Sequence, residues 1–237
     1  MKNEPRNHSS DSRHRPPQRR GAIVAATSGQ LPGWVRDEVN RSTPKERREP
    51  ALRLLSQGVA EFSDERYRAA AARLREAKAL SPRAATIREL LGLSAYRAEL
   101  WEEALRELRT FRRLTGDTSQ MPAEMDALRA LGRPADVDKT WQLFKELGGA
   151  RDVELEARVV YASHLLDQGK VKPAWEVIKP GRLVASAGEA EIRSWYVAAK
   201  VALAAGDRET ARTITNAISK QAPSLEGLEE LQTSVGP

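Results

Sequence analysis

The chain has no cysteine, which excludes disulfides and thiolate metal sites and fits a reducing compartment. It has no run near the ~18 consecutive apolar residues of a membrane span. The N-terminus is basic like a secretory signal. However, the apolar run behind it, Ala22-Ile23-Val24-Ala25-Ala26, is shorter than the roughly 7–15 residues of a secretory core. The expectation is a soluble cytoplasmic protein. Aromatic residues make up only 5% of the chain and β-branched runs are scarce. A core drawn from the 40% hydrophobic share must therefore be mostly Leu, Ala and Val, which favours helix throughout.

The short signatures of catalysis are missing too. There is no Gly-x-x-x-x-Gly-Lys-Ser/Thr loop, no Gly-x-Gly-x-x-Gly, no His-Glu-x-x-His and no Gly-x-Ser-x-Gly elbow. His8 and His14 lie in the polar N-terminal stretch, and His164 falls within a helical pattern as a groove or packing residue. Asp136 and Asp138 could meet a cation, but two carboxylates near a helix start serve the helix dipole. The expectation is a protein that is not an enzyme, with no cofactor and no metal.

What is present begins with charge. The net charge is +6, and residues 1–20 carry six Lys or Arg against Glu4 and Asp11, or +4. The body after residue 50 is close to neutral, with 28 basic against 27 acidic side chains. Residues 1–30 are rich in Arg, Pro and Ser, with almost nothing apolar to bury, and are expected to be disordered. Arg6, Arg13, Arg15, Arg19 and Arg20 form either an electrostatic arm for nucleic acid or a solubilising tail. No aromatic residue is interleaved to stack on bases.

Within residues 31–42, Leu31, Trp34, Val35 and Val39 share one helical face behind a Pro32-Gly33 turn. Such a short helix is unstable alone and must dock. It caps the first hairpin, lies in the protein's own groove, or anchors a partner. Thr43-Pro44-Lys45-Glu46 then reads as a helix start with Thr43 as the cap.

From Ala51 to Gly116 the chain repeats itself at a spacing of 34: Gly58 returns as Gly92, Tyr67 as Trp101, Ala70 as Ala104 and Leu74 as Leu108. Small residues at fixed places in two successive helices, with a breaker at the end, describe a stack of helical hairpins. The pattern fails next, because 34 beyond Ala104 lies Asp138. It returns at Ala162, Gly169-Lys170 and Ala174, and again at Trp195, Ala198, Gly206-Asp207 and Ala211. Thr215 departs from the pattern, at a place where an aromatic is preferred.

These residues resemble the tetratricopeptide repeat family. The resemblance implies an all-α, right-handed solenoid of about five hairpins at 51–84, 85–118, 119–154, 155–188 and 192–225. Residues 226–237 form a final cap, with fraying after Gln232. It further implies that the first helices line a concave groove through their second, fifth, ninth and twelfth places. Those are Leu52, Leu55, Val59 and Phe62, then Thr86, Glu89, Leu93 and Tyr96 with Arg97 beside them. Later come Glu156, Val159, Ser163 and Leu166, then Arg193, Tyr196, Lys200 and Leu203. Leu55 and Val59 stand where chaperone-binding members keep a polar carboxylate clamp, so that subtype is excluded. The implied role is a protein-interaction scaffold holding a peptide or helix. The alternative is a nucleic-acid- or ribosome-associated adaptor tethered by the basic tail. The Ala-, Arg- and Leu-rich composition resembles that of GC-rich bacterial genomes.

Overall fold

The computed structural model describes residues 31–236, and among the described residues there are twelve α-helices and no strand. A short helix, α1 (Gly33–Ser42), comes first. Five helix pairs follow: α2 (Lys45–Ser63) with α3 (Tyr67–Leu80), α4 (Ala85–Arg97) with α5 (Trp101–Thr115), and α6 (Met121–Ala130) with α7 (Pro134–Leu147). Then come α8 (Arg151–Asp167) with α9 (Val171–Ile178), α10 (Glu189–Ala204) with α11 (Arg208–Gln221), and a last helix, α12 (Leu228–Val235).

One turn is used five times. Between the two helices of each pair a single residue takes the left-handed conformation: Glu65, Glu99, Gly132, Gly169 and Gly206, with φ from 58° to 80°. Its N–H donates to the carbonyl three residues back, and the next N–H donates to the carbonyl five back from itself, all at 2.8–3.0 Å. This is a Schellman termination, which satisfies carbonyls that the helix end leaves bare. Three turns use glycine. The other two force glutamate into a conformation that costs a β-carbon about 1 kcal/mol or more.

Counting from these turns shows why the repeat breaks in sequence. The small buried place lies five residues after the left-handed residue: Ala70, Ala104, Val137, Ala174 and Ala211, all fully buried. The third unit is one residue short, so Val137 rather than Asp138 takes that place. The helices also touch in order. Each pair packs internally, and α2, α4, α6, α8, α10 and α12 each contact the next in that series. In the first two pairs glycine permits the approach: a Cβ on Gly58 would stand 2.6 Å from Leu74 Cγ, and one on Gly92 2.5 Å from Leu108 Cδ2.

Several local expectations need correction. Thr43 is no helix cap: α2 begins after Pro44 without a side-chain cap, and the Thr43 hydroxyl donates instead to Ser81 Oγ at 2.6 Å. From its start after Pro44, α2 continues as one helix through Pro50, which sits in its second turn and cannot donate to the Glu46 carbonyl. The C-terminus does not fray at Gln232. Val235 is buried with Ala202 and Ala211, and Arg212 holds its carbonyl at 3.2 Å.

Two fully buried carboxylates tie neighbouring pairs together. Glu107 receives Lys78 at 2.9 Å, Arg88 at 2.6 Å and Arg106 at 3.0 Å. Burial pushes its carboxyl up, yet these three cations together hold it below the ordinary range. Glu124 is held by Arg112 through bonds of 2.9 and 3.1 Å, with Arg109 farther away at 3.9 Å. There burial wins, and the carboxyl lies above its ordinary range.

Candidate binding groove

The left-handed residue also sets the register of the first helices. The twelfth place of each unit lies three residues before it, giving Phe62, Tyr96, Arg129, Leu166 and Leu203. The same count assigns the third unit, which the broken period concealed: Ser119, Pro122, Asp126 and Arg129. Its ninth- and twelfth-place residues form the centre of a polar chain across three helices. Tyr96 Oη donates to Asp126 Oδ2 at 2.7 Å. Arg129 donates from Nη1 to Asp126 Oδ1 at 2.7 Å and from Nε to Asp167 Oδ2 at 2.6 Å. Gln120 Nε2 donates to Glu89 Oε1 at 2.8 Å, joining α6 to α4 a second time.

Burial, and then the Asp126 charge, lifts the Tyr96 phenol well above its ordinary range, while Arg193 and Arg129 pull it down. Arg193 also lies 3.3 Å from Glu156 of α8. Lys200 stands over the Tyr196 ring, 5.7 Å from its centroid, a cation–π pair.

Other residues of the implied groove are placed differently. Leu55 and Val59 are only 0% and 2% exposed and share one core with Val35 and Val39 of α1. They present no surface to a ligand, because both lie inside the core that α1 shares with α2, α3 and α4. Leu52 is buried in the same core. Phe62 is half-buried and meets Tyr67 edge-on at 5.3 Å. Leu93 is half-buried, and Val159 and Leu166 pack against the C-terminal core. Tyr196 is half-buried, with its hydroxyl against Gly227, where φ is 78° and a Cβ would stand 2.4 Å from that hydroxyl.

Arg97 belongs elsewhere. Its guanidinium lies 4.5 Å above the Tyr67 ring and donates to the Tyr67 hydroxyl at 2.6 Å, on the rim of an open hollow of about 550 Å³ beside the first two turns. The tail arginines Arg6, Arg13, Arg15, Arg19 and Arg20 lie outside the described residues.

His164 is buried, stacked on Tyr161 with ring centroids 5.9 Å apart. Tyr161 in turn stacks on Trp141 at 4.7 Å and donates its hydroxyl to Asp138 at 2.9 Å. Burial first, and then Asp138, raise the Tyr161 phenol to about 12. Asp136 pairs instead with Arg133 at 2.7 Å, so the two carboxylates of that stretch serve different partners. Among the described residues no three metal-ligating side chains converge, and no helix is long and apolar enough to cross a membrane.

No protein-family model matches the chain, and no curated protein matches it in sequence. Its functional reading rests on this geometry.

Proposed function

We propose that the chain is a tetratricopeptide-repeat-like solenoid: five hairpins in a right-handed superhelix that bind a protein segment along the face of their first helices. It acts in the cytoplasm as a non-catalytic scaffold. The observation that carries this reading is the five-fold recurrence of one turn. In every unit the second groove place lies 13 residues before the left-handed residue, from Leu52 and Glu65 to Arg193 and Gly206. Equivalent side chains of successive first helices thus fall in one row, and hydrogen bonds already link that row from α4 to α8.

The row suits a segment with apolar anchors on either side of a polar middle. Leu93 flanks Tyr96, Asp126 and Arg129 on one side, and Leu166 with Tyr196 flanks them on the other. Since Leu52, Leu55, Val59 and Thr86 are all buried, the free surface in this reading starts beyond Thr86.

The test is crosslinking and pull-down mass spectrometry on the full chain and on Tyr96→Ala, Arg129→Ala and Lys200→Glu variants. A partner lost by at least two of the three supports the groove. A partner retained by all three refutes it.

A further inference from the structure

The second helices carry a feature that the groove does not use. Between α5 and the start of α7 is an open cleft of about 480 Å³, whose wall includes five arginines (Arg106, Arg109, Arg112, Arg113 and Arg133) and one acid, Glu102. Three of these arginines have structural work. Arg106 and Arg112 hold the buried Glu107 and Glu124, and Arg133 holds Asp136. The other two are held more loosely. Arg109 is the more distant cation on Glu124, at 3.9 Å, and Arg113 donates to the Thr110 hydroxyl at 3.2 Å.

Helix-dipole complementarity explains a cation in the last turn of α5, but not Arg109 in mid-helix. It disfavours Arg133, which stands at the positive N-terminal end of α7 and adds to the positive field there. The wall is also long. From Glu102 to Arg113 it follows about 16 Å of helix axis at 1.5 Å per residue. A single small anion fills a fraction of that length, whereas an extended chain of negative charges runs along it. No aromatic side chain lines the cleft, so there is nothing for a base to stack on. The same chain carries a second basic element, the +4 of residues 1–20. A polyanion long enough to meet both elements gains from each.

We propose that this cleft binds the phosphodiester backbone of a nucleic acid, without reading its bases, with Arg109 and Arg113 as the principal phosphate contacts. Their planar, forked donors match phosphate oxygens in pairs.

The experiment is fluorescence anisotropy with a labelled single-stranded 20-nucleotide oligouridylate, titrated with full-length protein across a salt series. Arg109→Gln/Arg113→Gln is compared with Arg53→Gln/Arg208→Gln, which removes the same charge from exposed sites off the cleft. The cleft variant should bind about tenfold more weakly or worse. Its salt slope should fall by about 1.4, at roughly 0.7 for each phosphate that the variant leaves unneutralised on a single strand. The control should match wild type. Arg109→Lys/Arg113→Lys should regain most of the slope, and it decides the matter if the glutamine pair misfolds. Four results would overturn the proposal: wild type that does not bind, a cleft variant that binds as wild type, an equal loss in the control, or a polyglutamate peptide that competes as well as unlabelled oligouridylate.

Discussion

The carboxylate of Glu38 caps the first turn of a helix by grasping Thr86, 48 residues further along the chain. One oxygen accepts the Thr86 N–H at 3.0 Å and the other accepts the Thr86 hydroxyl, at the start of α4. In this way α1 is fastened to the second hairpin while Val35 and Val39 bury themselves over the first. Losing a cap of this kind costs about 1–2 kcal/mol. Glu38→Ala should therefore lower the melting temperature by roughly 2–4 °C per kcal/mol. Thr86→Val, which keeps the N–H, should lose less. Removing residues 1–42 should uncover Leu55 and Val59 and raise binding of a hydrophobic dye.

The two glutamates in left-handed turns should be improvable. Glu65→Gly and Glu99→Gly each relieve a β-carbon penalty of about 1–2 kcal/mol. Each also adds about 0.5–1 kcal/mol of unfolded-chain entropy. The net gain is about 0.5–1 kcal/mol per site, visible as a higher urea midpoint at unchanged slope. Gly206→Ala should move the midpoint the other way by about 1 kcal/mol. Equal midpoints for all three variants would remove these turns from the stability argument.

Gly92 and Leu108 should be strongly coupled. Gly92→Ala improves helix propensity by about 1 kcal/mol. It also puts a methyl 2.5 Å from Leu108 Cδ2, and overpacking of that sort costs about 1–3 kcal/mol. Leu108→Ala alone should cost about 2–5 kcal/mol. In the Gly92→Ala background it should cost some 1–2 kcal/mol less, because the new methyl occupies part of the vacated space. A double-mutant cycle by chemical denaturation measures this directly, and additive effects would contradict the packing.

His164 should make the fold sensitive to mild acid. Burial is the main influence and lowers its pKa, assisted by Lys170 and Arg129 and opposed by Asp138 and Asp167. The unfolded chain therefore binds the proton more readily than the folded one. The contribution is fully present above the unfolded value, near 6.5, and is lost as pH falls through the lower folded value. His164→Gln should flatten the dependence of melting temperature on pH between about 7.5 and 5 relative to wild type. An identical slope in the two proteins would exclude His164 as its source.

Helix throughout was legible in composition, and the first two hairpins in their small residues. The third was not, for a definite reason. The 34-residue spacing is anchored on the second-helix alanine, whereas the structure keeps a different landmark, the left-handed residue. Gly132 was visible, but Glu65 and Glu99 conceal that landmark because glutamate is not a turn residue. Without it, Asp126 and Arg129 could not be assigned to the groove, and the centre of the polar chain stayed hidden. The burial of Leu55 and Val59 depended on where a ten-residue helix would dock, which local pattern does not decide. The fit of Thr215 is clear only in three dimensions: it is buried, with its hydroxyl turned back onto the Ala211 carbonyl at 2.8 Å.

The landmark has one more consequence. From one left-handed residue to the next the chain advances 34, 33, 37 and 37 residues, yet in every pair the second helix starts two residues after it and the small buried place follows five after it. Part of the variation in length lies within the helices, since α9 has 8 residues where α5 has 15, and part at the joints between one pair and the next, such as residues 179–188, where Gln221 pins the segment passing over it. The joints are seams and the hairpins are cassettes. A cut there removes or duplicates a whole unit with its turn and register intact, while a single residue inserted within a hairpin throws one row of side chains out of line.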